Sequence, residues 1–306
     1  MPSLTQGRRT PGDRLVIAIP FLWLALFFLL PTLIVFKISL SQTAIAQPPY
    51  TPVLDLAAGW EGLKTFVAGL TLDNYAMLVR DDLYVASYLK SLQVALVATL
   101  LLLLIGYPLA YAMARAPRRV QSVLLMLVIL PFWTAFLIRV YAWITILQRD
   151  GLLNQALLGL GIIDAPVVWL ASDTAVYIGL VYSYLPFMVL PLYASLERMD
   201  HTLREAAADL GAPPWKTFWL ITVPLSWPGI IAGSLLCFIP IVGEFVIPDL
   251  LGSSSTLMVG QTLWTEFFAN RDWPLACAVA IVMMLVLVGP IVVYQQLQER
   301  ALEQGR

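Results

Sequence analysis

The stretch T-L-R-E-A-A-A-D-L-G-A-P-P-W-K-T-F-W-L-I-T-V-P, residues 202–224, separates two long apolar segments of the chain. Its first half is charged and rich in alanine, its second half is aromatic, and Gly211 stands between them. Alanines favour a helix, a glycine suits the left-handed position that ends one, and the prolines at 213–214 fit a new first turn. The stretch is therefore predicted to form a helix–turn–helix.

The two short helices of this stretch have distinct ends and faces. Thr202 and Glu205 have the spacing of a capping box, with Asp200 as an alternative cap. Val223-Pro224 is expected to break the second helix before the next apolar run. The rings of the second helix recur at i, i+3 and i+4 and form one aromatic face: Trp215, Phe218 and Trp219. These features fit either a docking surface for a soluble partner or a plain connector at the membrane interface.

The composition is that of an integral membrane protein. Of 306 residues, 60% are hydrophobic and 12% are charged, whereas soluble domains have roughly 25% charged residues. So few charges cannot cover a globule of this size, so the excess apolar surface is expected to face lipid. A net charge of -1 gives no support for nucleic acid as a partner.

The sequence offers no cluster of residues for metal or catalytic chemistry. His201 is the only histidine, and Cys237 and Cys277 lie in apolar runs, where buried free thiols are expected. A phosphate-binding loop of the form G-x-x-x-x-G-K-[ST] does not occur. The chain is therefore not expected to be an enzyme or to bind a metal.

Six apolar runs long enough to span a bilayer follow one another within residues 15–298, since a spanning helix needs about 20 apolar residues. The runs are residues 15–36, 91–114, 120–147, 174–196, 226–247 and 273–298. A long polar loop is predicted at 38–88, a charged loop at 197–225, and short tails at 1–14 and 299–306. The third run is treated as one span although Arg139 interrupts it. An all-α fold with six transmembrane helices is therefore predicted.

The distribution of basic residues predicts the orientation of these spans. The loop between the second and third runs has three arginines and no acid, at positions 115, 118 and 119. The positive-inside rule places such a loop in the cytoplasm. Both termini and the 197–225 loop are then cytoplasmic, and the 38–88 loop is periplasmic.

The 202–224 stretch resembles the EAA signature of ABC importer permeases. The matching positions are Glu205-Ala206-Ala207, Gly211 and Ile221-x-Val223-Pro224, with Val223 where the family usually has leucine. In that family this loop docks into a cleft of the ATP-hydrolysing subunit. The resemblance implies the type I ABC importer permease fold. It also implies a coupling role for a set of loop residues: Glu205, Ala206, Ala207, Asp209, Gly211, Ile221 and Pro224.

Longer blocks resemble the spermidine/putrescine branch of these permeases, most closely the subunit of the putrescine system. They are I-P-F-L-W at 19–23, L-D-N-Y at 72–75, P-F-W at 131–133, I-R-V-Y-A-W at 138–143, Y-L-P-F-M at 184–188 and G-E-F-V-I-P at 243–248. This likeness implies a bacterial inner-membrane subunit that imports polyamines, putrescine before spermidine. It implies as partners a second homologous permease in a heterodimer, two ATP-binding subunits and a periplasmic binding protein. No cofactor is expected on this chain, because the partner ATPase uses Mg-ATP.

A polyamine is a flexible polycation, so its path is expected to need carboxylates and aromatic rings. Glu244 is the first candidate because an ionisable group at membrane depth indicates function. An ion pair with Arg139 is the alternative role of Glu244, and a pair that separates when substrate arrives would act as a gate. Asp249 follows on the predicted outer side. The aromatic candidates are Trp133, Tyr141, Trp143 and Tyr184.

Two other functional readings remain open at this point. A permease of the same architecture for another small solute fits the coupling loop equally well. A membrane scaffold or receptor would use the 197–225 loop to bind a signalling partner. ATP-dependent uptake by the assembled complex distinguishes transport from the scaffold.

Overall fold

A computed structural model describes residues 11–53, 59–200, 202–253 and 255–304. Most of the predicted N-terminal tail, His201 and the last two residues of the predicted C-terminal tail lie outside this part of the chain. The chain divides into two compact units, one formed by Leu83–Thr262 and the other by the two flanking ends.

The unit of the two chain ends begins with a long helix that a π-helical turn at Ala25–Leu29 interrupts. Its elements up to residue 80 are α1 (Pro11–Leu24), α2 (Leu30–Ser39), β1 (Gln42–Thr43), β2 (Tyr50–Thr51), α3 (Gly59–Ala68) and α4 (Asp73–Arg80). The strands pair antiparallel, with Gln42 opposite Thr51. Asn74 of α4 donates to the Ser39 and Ser41 carbonyls at 2.9 and 2.8 Å. Much of the predicted 38–88 loop is therefore folded structure.

The other unit is almost entirely helical and carries every predicted site residue. Its elements are α5 (Asp82–Arg115), α6 (Arg118–Ile129), α7 (Phe136–Leu147), α8 (Leu152–Gly159), α9 (Asp173–Glu197), α10 (Thr202–Asp209), α11 (Pro214–Thr217), α12 (Val223–Leu225), α13 (Trp227–Val242), α14 (Val246–Leu251) and α15 (Val259–Trp264). A π-helical turn at Thr265–Ala269 follows, and α16 (Trp273–Gln304) returns to the first unit, where it packs against α2.

α9 lies at the centre of its unit, and glycines allow its neighbours to approach. Met188 of α9 is fully buried between Gly106 of α5 and Gly233 of α13. A Cβ atom added at either glycine would lie 2.9 Å from the Met188 side chain. Small residues at such crossings are typical of membrane helices, which associate by close packing. The core of this unit is therefore a three-helix contact built around α9.

Three helices in the described residues are long and apolar enough to cross a membrane: Val16–Ser39, Asp82–Arg115 and Asp173–Glu197. Two further apolar helix pairs are each bent at a short break, by 90° between Trp133 and Phe136 and by 64° between Leu225 and Trp227. Trp273–Gly289 is apolar but shorter.

The sequence suggested one straight helix for the third apolar run, but the structure divides this run into two helices. Pro131 lacks an N–H and lies in the first turn of a 3-10 helix that runs from Leu130 to Trp133. The Thr134 hydroxyl and amide both donate to the Pro131 carbonyl, at 2.8 and 3.3 Å, and so close the turn. The chain is extended at Thr134 before α7 begins at Phe136. Local hydrogen bonding thus produces the sharp bend.

The predicted break at Val223-Pro224 is also displaced. Pro224 lies in the first turn of α12, where a missing N–H is tolerated, and the helix continues through it from the π-helical turn Phe218–Thr222. The bend comes at Ser226, whose hydroxyl lies 2.9 Å from the Val223 carbonyl oxygen and 2.8 Å from the Tyr107 hydroxyl.

Candidate functional site

The first helix of the predicted coupling loop is α10. Asp200 Oδ1 accepts a 2.9 Å hydrogen bond from the Thr202 amide. Thr202 is itself the first helical residue. The alternative cap is therefore the one observed, and the capping box with Thr202 as cap is wrong. Asp200 fits because its carboxylate reaches a free amide of the first turn.

Gly211 ends α10 in the way that its position predicted. Its φ is +75°, a conformation that glycine adopts without a steric penalty. The Gly211 amide donates to the Ala208 carbonyl at 2.8 Å and the Ala212 amide donates to the Ala207 carbonyl at 2.9 Å. These two bonds form a Schellman motif. They fix the angle at which α11 leaves the turn.

The aromatic face of the following segment is divided between contact and exposure. Phe218 packs edge-on against Tyr107 and Tyr111 of α5, with ring centroids 5.7 and 5.5 Å away. Trp215 and Trp219 are 63% and 62% exposed. Phe218 therefore anchors the loop to α5, while the two tryptophans face outward.

The predicted coupling residues differ in their exposure. Ala207 is buried beneath the turn and Ile221 is half-buried. The others are exposed at the surface: Glu205, Ala206, Asp209, Gly211 and Pro224. An exposed charged helix ending in a rigid turn has the form of a docking element.

Glu244 is 9% exposed and lies directly after α13, where Gly243 ends the helix. Its Oε2 accepts a 2.7 Å hydrogen bond from the Tyr184 hydroxyl, and its Oε1 accepts a 3.0 Å bond from the Val246 amide. The residues predicted from sequence thus include a buried carboxylate and the tyrosine that orients it.

Arg139 does not pair with Glu244. It is 9% exposed, and its guanidinium lies 5.1 Å from the Phe132 ring centroid and 5.7 Å from that of Phe136. Its Nε and Nη1 atoms are buried without a hydrogen-bond partner among the described residues. The expected ion pair is thus replaced by contacts between a cation and aromatic faces.

Two phenylalanines that the sequence did not single out connect these groups. The Phe187 ring lies 6.0 Å from Tyr184 and 5.2 Å from Phe132, measured between ring centroids. Glu244, Tyr184, Phe187, Phe132 and Arg139 therefore form a continuous line, hereafter the aromatic line. The Y-L-P-F spacing on α9 puts the second ring three residues after Tyr184, which was the available signal.

The remaining predicted pathway residues do not join this line. Trp133 is 72% exposed at the bend and Tyr141 is 57% exposed on α7. Trp143 packs edge-on against Tyr182 at 5.4 Å. Asp249 is exposed, and Gln261 donates to it at 2.9 Å. Within the described residues no group of His, Cys, Asp and Glu could hold a metal ion.

Apolar helices joined by a rigid charged turn with the EAA residues define a permease subunit of an ABC importer. The family model "Binding-protein-dependent transport system inner membrane component" matches residues 103–303. The chain belongs to this family. It is an inner-membrane permease subunit and does not itself hydrolyse ATP.

Individual relatives agree with this membership. The chain is 39% identical over 282 residues to the spermidine/putrescine transport system permease protein PotB of Haemophilus influenzae, covering 92% of each chain. It is 47% identical over 224 residues to PotB of Escherichia coli K12, covering 73% of this chain and 81% of the relative. The predicted likeness to the putrescine-system subunit PotH lies within the same family and stays a prediction.

A solved structure has the same fold. It is a bacterial alginate ABC transporter in complex with an alginate pentasaccharide-bound periplasmic protein. The TM-score is 0.65 at 19% identity, with 94% of this chain and 98% of that chain covered. At this identity the likeness concerns the fold alone.

Proposed function

We propose that this chain is one half of the pore of an ATP-driven importer of polyamines, with putrescine as the first substrate and spermidine as the second. The observation that carries the proposal is the buried, hydrogen-bonded carboxylate of Glu244. The names of the PotB relatives support the substrate class. A buried carboxylate without a basic partner attracts a cation, because it lacks the solvation that water would give it.

The aromatic line gives a polycation more than one contact. One ammonium group binds Glu244, and the faces of Tyr184 and Phe187 accept neighbouring charges or cover the methylene chain. Each cation–π contact contributes about 0.5–2 kcal/mol. Arg139 lies at the other end of the line and repels a cation, so it sets a limit on how far the substrate extends in this conformation.

The proposed topology has six spans with both termini in the cytoplasm. The three long helices, the two bent pairs and the helix from Trp273 supply these spans. The arginines at 115, 118 and 119 support a cytoplasmic position for the turn between α5 and α6. On this topology the 197–225 loop is cytoplasmic, the 38–88 region is periplasmic, and the tails 1–14 and 299–306 are cytoplasmic.

The proposed complex has two homologous permeases in a heterodimer, two ATP-binding subunits and a periplasmic binding protein. Exposed Glu205 and the Schellman turn at Gly211 support α10 as the element that docks on the ATPase. Mg-ATP binds the ATPase, and this chain holds no cofactor. The periplasmic protein in the alginate transporter complex supports a binding protein that delivers the substrate. ATP-driven closure of the ATPase pair then moves α10, a rigid two-state coupling element.

Substrate-stimulated ATP hydrolysis of the assembled complex in liposomes tests the proposal. Putrescine, spermidine, amino acids and sugars are compared, each with its own binding protein. Stimulation and uptake with polyamines alone is the expected result. Stimulation by another solute would overturn the substrate class, and an absence of any ATP-dependent uptake would favour the scaffold.

A further inference from the structure

A cavity of about 340 Å³ lies between α10 and the last turns of α5. It is hereafter the Arg115 cavity. Its lining residues share one feature: they come from the end of a long apolar helix and from the coupling loop. They include Tyr111, Arg115, Arg204, Glu205, Phe218 and Thr222. A separate, smaller cavity of about 10 Å³ is also lined by Arg115, Arg204 and Thr222.

The charges of the Arg115 cavity favour an anion. Two guanidinium groups and one carboxylate line it. Arg115 Nη1 donates to the Tyr111 hydroxyl at 3.0 Å, which uses one of the five N–H donors of the guanidinium. Glu205 is exposed and makes no ion pair with Arg115 in the described part of the chain. The other N–H donors of Arg115 therefore remain for an acceptor-rich ligand.

Thr222 adds an independent indication of a ligand. It is 1% exposed, and its Oγ1 atom is buried without a hydrogen-bond partner among the described residues. Burying an unsatisfied hydroxyl is unfavourable. Thr222 lines both cavities, so a bound group with acceptor oxygens would satisfy its hydroxyl.

The level of the Arg115 cavity relative to the membrane indicates which ligand supplies such oxygens. Arg115 is the last residue of α5, a helix long and apolar enough to span a membrane. The exposed rings of Trp215 and Trp219 lie on the adjacent segment, and tryptophans mark the level of the lipid headgroups. Lipid phosphates lie at this level, and basic pockets between membrane helices bind anionic headgroups.

We propose that the Arg115 cavity binds the phosphate of an anionic phospholipid headgroup and thereby fixes α10 against α5. Arg115 and Arg204 contact the phosphate oxygens, and the Thr222 hydroxyl donates to one of them. Bound lipid would make the coupling of ATP hydrolysis to transport depend on headgroup charge. The inference goes beyond the polyamine importer and needs only that this segment lies at the membrane surface.

The experiment uses the complete transporter, purified with its partner subunits and reconstituted in phosphatidylcholine nanodiscs with or without phosphatidylglycerol. Native mass spectrometry counts the phosphatidylglycerol retained after mild delipidation. We expect Arg115→Gln to weaken retention by about 10-fold or more, because it removes hydrogen bonds between charged groups. The control is Arg119→Gln, which removes an exposed arginine four residues away, outside the cavity, and is expected to retain lipid like the wild type.

Thr222→Val is the second variant, because it keeps the side-chain volume and removes only the unsatisfied hydroxyl. It is expected to fold and to weaken retention by roughly 3-fold or more through the lost donor. Equal retention in Arg115→Gln and Arg119→Gln would overturn the proposal, since general attraction to the surface would then explain binding. Binding of glycerol 3-phosphate with equal affinity in lipid-free detergent would overturn the lipid source and indicate a soluble phosphate ester.

Discussion

The hydroxyl of Tyr184 donates a 2.7 Å hydrogen bond to Oε2 of Glu244 and joins the middle of α9 to the break between α13 and α14. The Val246 amide holds the other carboxylate oxygen at 3.0 Å. Two donors from different elements thus orient one buried charge. Among the described residues, no basic side chain forms an ion pair with this carboxylate.

We expect Glu244→Gln to lower polyamine uptake by about 10-fold or more, because a charge-assisted hydrogen bond contributes about 1.5–3 kcal/mol. Glutamine keeps the shape of the side chain and an oxygen that accepts from Tyr184. Initial rates of spermidine and putrescine uptake into proteoliposomes, measured over a range of substrate concentrations, check this expectation. Wild-type affinity and rate in the glutamine variant would show that the carboxylate has no role in transport.

Tyr184→Phe separates orientation from charge. It keeps the ring of the aromatic line and the Glu244 charge, and it removes one donor. We expect a weaker apparent affinity with a smaller loss than in Glu244→Gln, because the Val246 amide still holds the carboxylate. An equal or larger loss would indicate that the hydroxyl itself contacts the substrate.

The coupling loop could be predicted from sequence because its structure follows from local rules. Alanines stabilise α10, and the left-handed turn needs Gly211. Both depend on residues within one helical turn. The error at Thr202 was local too, because the Asp200 carboxylate accepts from the Thr202 amide, the donor that Glu205 would satisfy in a capping box.

The arrangement around Arg139 could not be predicted in this way. Counting residues along two apolar runs placed Arg139 and Glu244 at similar depths and suggested an ion pair. The 90° bend before Phe136 breaks the assumption of a straight helix. The guanidinium then lies against Phe136, three residues earlier on α7, and against Phe132 in the turn before the bend, so the bend decides its surroundings.

Gly229→Ala is expected to destabilise the permease by about 1–3 kcal/mol, the usual range for overpacking. A Cβ atom there would lie 2.5 Å from Ser195 Cβ and 2.9 Å from the Pro191 carbonyl oxygen, so α13 would have to move away from α9. Gly289→Ala is the matched control, because nothing lies within 4 Å of its added Cβ. Thermal unfolding in detergent should show a lower Tm for the first variant only; equal Tm values would contradict the close crossing.

Asn154→Ala tests a buried side chain that holds the loop after α7 together by hydrogen bonds, a role that composition does not reveal. The Asn154 side chain is 1% exposed; Oδ1 accepts from the Val167 amide and the Trp169 indole, and Nδ2 donates to the Val167 and Arg149 carbonyls. Leaving these groups unpaired should lower stability by about 2–3 kcal/mol. Limited proteolysis should then cleave between residues 148 and 172 faster than in the wild type. The control Gln155→Ala removes one exposed hydrogen bond of 2.8 Å to the Asp150 carbonyl and should be cleaved at the wild-type rate. Equal cleavage of both variants would show that Asn154 does not stabilise this loop.

Gly211→Asp is expected to reach the membrane in normal amount and to uncouple ATP hydrolysis from uptake. A residue with a Cβ is strained at the Gly211 φ of +75°. No atom lies within 4 Å of the added carbon, so the substitution changes the turn and its surface rather than the packing.

Gly161→Asp is a matched control, because Gly161 has a φ of +68° and equally open surroundings away from α10. ATP hydrolysed per polyamine imported, measured in one proteoliposome preparation, should rise about 10-fold or more if docking loses about 1.4 kcal/mol. Normal coupling in Gly211→Asp, or equal uncoupling in Gly161→Asp, would exclude the turn as the docking element.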